Sequence, residues 1–264
     1  FQTISLHDTL TFSPADRLAL TCDAPEIPCD DTNLVMRAAR ALGAPPVAIA
    51  LRKRIPAGGG LGGGSSNAAA TLLALSSRAG GPPAVGASSR RPGGETPPIR
   101  PPGRRRDELA DIALSLGSDV PFFLLGGTAY ATGRGEVLTP LRSVAGVPLI
   151  LLFPPERVAT AQAYAMLRRF SPPLGLERVR AMVDDDLLGH ATELVNDFEE
   201  PIFAALPHLA AIKTRLYELG ARWAGMSGSG STIVGAFRDA PGRDAALAQF
   251  SSAIAAETTA AAPE

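Results

Sequence analysis

The sequence predicts an α+β protein of two domains, residues 1–145 and 146–264. Three observations predict it. The first half carries a strand, a glycine-rich loop and a helix in direct succession between about Pro46 and Leu75. The second half opens on an apolar strand near Val147, runs through helices, and sets two short strands around Ser227–Ser231. Hydrophobic residues make up 45% of 264 positions and charged residues 19%, a balance that can fill a sizeable core and excludes wholesale disorder.

Each element follows from local pattern. Gln2 to Leu6 alternates like a strand, so the chain opens inside an element and a segment upstream of Phe1 is expected. Val47, Ile49 and Leu51 mark a strand from about Pro46 to Arg54. Asn67 to Leu75 is rich in strong helix formers, and Ser65, Ser66 or Asn67 could each cap that helix. From Arg78 to Arg106 Pro, Gly and Arg dominate and Glu95 is the single acid, which predicts a disordered basic surface loop. The same bias is what a shifted reading frame in GC-rich DNA produces. Leu109, Ile112, Ala113 and Leu116 share a helical face, and Gly117 ends that helix. Ser118 to Leu125 opens another helix, followed by a glycine-broken stretch to Pro140. Beyond Val147 the pattern gives a strand to Phe153, helices at Ala161–Arg169 and Leu209–Leu219, and strands at Arg222–Met226 and Thr232–Phe237. A final helix from Asp244 to Ala256 and a frayed tail complete the reading.

Composition narrows the function. A net charge of −1 gives no general attraction to nucleic acid or anionic membrane. Cys22 and Cys29 are too few for a disulfide scaffold, and no Cys/His cluster has zinc spacing, so no metal ligands are assigned. The longest apolar run, Val147–Phe153, falls far short of the ~20 residues of a membrane span. A soluble, cytoplasmic globular protein is expected. Lys53 and Lys213 are the only lysines, which leaves few candidates for a catalytic lysine. His7, His190 and His208 are scattered, and Asp184–Asp186 reads as a solvated helix start.

The glycine run is the strongest signal. Bare backbone N–H groups ahead of a helix N-terminus favour phosphate, because the amides converge and the helix dipole adds positive charge. The alternative is a flexible linker, which rarely stands between a strand and a capped helix. Gly64-Ser65-Ser66 lacks the lysine of a Walker A loop. Gly58, Gly60 and Gly63 match dinucleotide spacing, yet no acid stands between Ser65 and Gly94 to hold a ribose. Asp119 on its own reads as a helix cap, with Pro121 in the first turn. Ser227–Ser231 on its own reads as a hairpin turn.

Pro56, Ala57, Gly58, Gly59, Gly60, Leu61, Gly62, Gly63, Gly64, Ser65 and Ser66, running on through Asn67-Ala68-Ala69, resemble the ATP loop of the GHMP kinases. Leu116-Gly117-Ser118-Asp119-Val120-Pro121-Phe122-Phe123 resembles that family's catalytic-aspartate motif, and Gly225 to Ser231 its second glycine-rich loop. Asn196-Asp197-Phe198-Glu199 and Asp31-Thr32-Asn33-Leu34-Val35 resemble two further stretches, so the likeness covers nearly the whole chain outside 78–106. It implies the two-domain GHMP kinase fold, with an amino-terminal domain like ribosomal protein S5 domain 2 and a ferredoxin-like carboxy-terminal domain. It also implies ATP with Mg2+ as cofactors, held by Pro56–Ser66. Asp119 would accept a proton from the substrate hydroxyl, and Ser227, Gly228, Ser229 and Gly230 would close on phosphate and acceptor. In their particular form these motifs resemble the branch that phosphorylates the 2-hydroxyl of a cytidine diphosphate-linked methylerythritol in non-mevalonate isoprenoid synthesis, which implies that activity here, in a monomer or homodimer. Tyr164 and Phe1 stand where the resemblance puts aromatic residues around the cytidine; either could equally be a core residue.

Two features depart from the family. Its Pro-Ala-Lys-Ile-Asn and Gly-Tyr-His stretches have no counterpart in the sequence, and Lys53, at the end of the strand leading into the glycine loop, is no substitute for that lysine. The family's connection across 78–106 is also much shorter. Beside the favoured activity stand a GHMP kinase for another small alcohol and a non-catalytic nucleotide-binding remnant.

Overall fold

The computed structural model describes residues 1–76 and 106–260. It forms two compact units, one of Leu10–Leu51 and Gly64–Leu124, the other of Phe1–Thr9, Arg52–Gly63 and Leu125–Glu264. The loop expected at 78–106 lies outside the described residues, apart from Arg106 at the start of a helix.

In the first unit the elements run β1 (Thr9–Pro14), β2 (Ala19–Cys22), α1 (Leu34–Ala41), β3 (Val47–Arg52), α2 (Gly63–Ser76), α3 (Arg106–Leu116) and α4 (Val120–Leu125). The strands form one sheet in the order β1-β3-β2, with β2 and β3 parallel and Leu20 opposite Ile49. The alternation visible in the sequence is that of β3, where Val47, Ile49 and Leu51 are buried and Ala50 and Arg52 exposed. Those three side chains join one core with Val35 and Ala39 of α1, Leu72 of α2, and Leu109, Ala113 and Leu116 of α3. Asn33 caps α1 through its side chain, which accepts from Val35 N.

The second unit holds β4 (Ala129–Thr132), β5 (Val137–Pro140), β6 (Pro148–Leu152), α5 (Thr160–Met166), α6 (Leu176–Asp184), a 3₁₀ helix (Leu187–Glu193), α7 (Glu199–Ala205), α8 (Pro207–Glu218), β7 (Trp223–Met226), β8 (Ile233–Ala236), α9 (Ala240–Leu247) and β9 (Ala253–Glu257). Its main sheet is antiparallel, in the order β7-β8-β6-β9. Ile150 and Leu152 pack with Ile202, Leu209 and Leu216 from α7 and α8. Leu149 and Leu151 pack on the opposite face with Ile4, Leu6 and Leu61. Burial on both faces is why β6 reads as an unbroken apolar run.

Several local expectations are corrected. The last helix is α9 alone, capped by Asp239 through Gly242 N, and residues 253–257 are strand β9 at the edge of the sheet. Pairing with β6 overrides the helix propensity of an alanine-rich run. The tail to residue 260 is not frayed: Thr258 N bonds Val147 O, and Thr259 N bonds Thr3 O. Gln2 and Ile4 make isolated bridges to Thr128 and Thr258 rather than a regular strand. The stretch before Pro140 contains the β4–β5 hairpin, turned at Gly133 and Gly135, both with positive φ. The exposed acidic run joins two helices: Asp184 ends α6 and pairs with Arg142, while Asp186 stands at the expected helix start, just before the 3₁₀ helix, and pairs with Arg222.

Candidate active site

The glycine run leaves β3 through a tightly held approach. The Asp8 Oδ1 accepts hydrogen bonds from Arg54 N at 2.7 Å and Ile55 N at 2.8 Å. Its Oδ2 lies 2.5 Å from Lys53 Nζ, with the Asp8 side chain fully buried and that of Lys53 11% exposed. Three donors around one carboxylate fix the backbone just before Pro56. Gly58, Gly60 and Gly62 then take φ of +74°, +78° and +66°, the left-handed region that favours glycine. Gly63 to Ser66 form the first turn of α2, where the positive end of the helix dipole falls. The helix therefore begins inside the glycine run, and Ser65, Ser66 and Asn67 lie within it rather than capping it. Glycine allows this early start because Gly63 and Gly64 can take helical angles as readily as loop angles.

The Ser227–Ser231 loop is the hairpin between β7 and β8, whose register pairs Met226 with Ile233. It interlocks with the glycine run. Ser227 Oγ donates to Gly60 O at 2.9 Å, and Thr232 N donates to Gly59 O at 3.3 Å. A Cβ on Gly60 would lie 2.2 Å from Ser227 O, so only glycine permits this approach. The Thr232 hydroxyl, buried beside Gly59, has no hydrogen-bond partner among the described residues.

Next to this loop is a cavity of about 430 Å³, lined by Tyr164, Phe170, Val195, Asn196, Phe198, Met226 and Gly228 among others. Tyr164, 60% exposed, meets Phe198 edge to face with ring centroids 5.0 Å apart, which leaves much of its ring open. Ser229 Oγ lies 3.3 Å from Thr160 Oγ1 at the start of α5. Phe1 is not among the lining residues; its amino group donates to Ala129 O. Tyr164, Ser227, Gly228, Ser229 and Pro56–Gly63 thus belong to one unit, while Gly64, Ser65, Ser66 and Asp119 belong to the other.

Asp119 stands in the turn between α3 and α4, where Val120 N bonds Gly117 O. Its side chain forms no cap. Burial alone acts on its carboxyl and pushes the pKa above the ordinary 3.8. A carboxylate kept more basic than usual suits the acceptance of a proton.

Three further side chains shape the site without having been singled out from sequence. Asp8 gives no local signal, since its partners lie 45 to 47 residues away. Asn196 and Glu199 sit in the Asn-Asp-Phe-Glu stretch, whose resemblance was visible but whose task was not. Glu199 accepts from Met226 N at 2.7 Å and pairs with Lys213 at 2.5 Å. Asn196 Nδ2 donates to Met226 O and Gly228 O, each at 2.8 Å.

Family models match twice, the GHMP kinases N terminal domain over residues 33–84 and the GHMP kinases C terminal over residues 180–256. A 4-diphosphocytidyl-2-C-methyl-D-erythritol kinase of Chlorobium phaeobacteroides is 37% identical over 251 residues, covering 90% of this chain and 79% of the relative. The crystal structure of a 4-(cytidine 5'-diphospho)-2C-methyl-D-erythritol kinase superposes with a TM-score of 0.74 at 35% identity, covering 97% of this chain and 87% of that one. A homoserine kinase from Cytophaga hutchinsonii, at 17% identity and a TM-score of 0.69 with the same coverage, shares the fold alone.

Proposed function

We propose that this chain, which belongs to the GHMP kinase family, transfers the γ-phosphate of ATP to the 2-hydroxyl of 4-diphosphocytidyl-2-C-methyl-D-erythritol. The observation that carries the substrate assignment is the 37% identity, over nine-tenths of the chain, to a relative named for that activity. The homoserine kinase shares the fold at less than half that identity, which favours this acceptor over another small alcohol.

The residues supply what phosphoryl transfer needs, positioning and neutralisation of spread negative charge. Backbone amides of Gly58–Ser66 suit the nucleotide phosphates, and the first turn of α2 adds positive potential. Among the described residues no group of three or more His, Cys, Asp or Glu is placed to hold a metal. Magnesium bound with the nucleotide would supply neutralisation of the phosphate charge.

Asp119 takes the proton of the 2-hydroxyl as that oxygen bonds to the γ-phosphorus. The bond from phosphorus to the β–γ bridging oxygen breaks and ADP leaves. Tyr164, steadied by Phe198, offers its open ring to the cytosine. Ser227 and Thr232 hold the acceptor loop against Gly60 and Gly59.

Competition tests this proposal. Cytidine diphosphate should inhibit phosphorylation competitively with the alcohol substrate. An acceptor phosphorylated equally well in its presence would overturn the assignment.

A further inference from the structure

We infer that Asn196 is a positioning residue for the nucleotide loop, acting from the wall of the Tyr164 cavity through Ser227; this rests on Pro56–Ser66 being that loop. A side-chain amide offers two donors and a carbonyl acceptor. All are used here. Both N–H groups end on the carbonyls that bracket Ser227, Met226 O and Gly228 O, and Oδ1 accepts from Phe198 N at 3.0 Å. Ser227 is thereby held on both sides while its hydroxyl donates to Gly60 O.

Gly60 cannot yield independently, because its Cα faces Ser227 O closely enough to exclude a Cβ. The path from cavity to nucleotide loop is therefore Asn196, the 226–228 backbone, Ser227 and Gly60, all within one unit. Glu199 secures Met226 N separately, so loss of Asn196 loosens the loop rather than the end of β7. The chemistry requires an amide. Aspartate has the same size but no donors, and would set a negative charge against two carbonyl oxygens.

The test uses Asn196→Asp, Ser227→Ala and their double variant. Hydrogen exchange is followed by mass spectrometry in the ligand-free chain. Asn196→Asp should speed exchange at least about tenfold in both 56–64 and 226–233, leaving β6 and α8 unchanged. Ser227→Ala should speed it in 56–64 more than in 226–233. For a non-hydrolysable ATP analogue, Asn196→Asp should raise Kd at least about tenfold. The double variant should then stay within about twofold of Asn196→Asp, because both changes cut one link.

Unchanged exchange in 56–64, or independent additive effects in the double variant, would overturn the inference. Should Asn196→Asp melt the whole chain, the neutral Asn196→Ser is held to the same comparison. Failure of the unaltered chain to bind the analogue would instead refute the nucleotide-loop assignment, with the exchange data still deciding the role of Asn196.

Discussion

Replacing Asp8 with alanine should be among the most damaging single changes outside the two glycine loops. The side chain is fully buried and serves Lys53 Nζ, Arg54 N and Ile55 N at 2.5 to 2.8 Å. Removing one member of a buried ion pair costs about 3–5 kcal/mol, because the remaining charge keeps its desolvation penalty without that counter-charge. Each backbone N–H that loses its acceptor would add roughly 1–3 kcal/mol if it stayed dry, though water admitted to the gap recovers part of this. About 3–5 kcal/mol is therefore the expectation, read from urea unfolding. In a melt, at roughly 2–4 °C per kcal/mol, that corresponds to a fall of about 6–20 °C. The pair Asp8→Leu with Lys53→Met supplies the diagnostic. If the ion pair is the main contribution lost, removing both charges should be less harmful than Asp8→Ala alone. A loss below about 1 kcal/mol for Asp8→Ala, the level of an exposed pair, would refute the reasoning. So would a double variant at least as unstable as the single one.

Three other outcomes follow from the site. The rate should rise with pH as Asp119 deprotonates, with an acid limb above that of an ordinary aspartate because burial raises its pKa; pH profiles of kcat should show that limb lost in Asp119→Asn along with about 10²–10⁴-fold in rate. Gly60→Ala should cost at least about 1–3 kcal/mol and sharply weaken nucleotide binding, measured by denaturation and calorimetry, since φ is +78° and the new methyl would strike Ser227 O. Tyr164→Ala should weaken cytidine diphosphate binding by about 5- to 150-fold, the range of one base–aromatic stack, with little change in melting temperature because the side chain is mostly exposed.

What could be read from sequence was what is written locally. Val47, Ile49 and Leu51 announce β3, because one face of that strand is buried and the other is not. The helical face of Leu109, Ala113 and Leu116 and the terminating Gly117 are equally local signals. The glycine run and the Ser-Gly hairpin could be recognised as loops that approach a ligand closely, and their order along the chain pointed to the family. Their interlock could not, because the bond from Ser227 to Gly60 spans 167 residues.

The misreadings have the same origin. Ala253–Glu257 is a strand because β6 has an open edge to pair with, which no local propensity reports. Asp8 looks like any polar residue beside a strand until Lys53 and Ile55 return to it. Phe1 and Tyr164 were equivalent as aromatic candidates in the sequence. Of these two, Tyr164 lines the cavity beside the Ser227–Ser231 loop, where its ring meets Phe198, and Phe1 does not. Asp119 could be placed in a turn before a helix, but the burial that raises its pKa depends on the packing around that turn.

The most direct measurement is mass spectrometry of the products formed from ATP, magnesium and 4-diphosphocytidyl-2-C-methyl-D-erythritol. A product heavier by one phosphate at the 2-hydroxyl, absent with Asp119→Asn, is the predicted result. Phosphate transferred to another alcohol while this one is left untouched, or full activity in Asp119→Asn, would contradict the account.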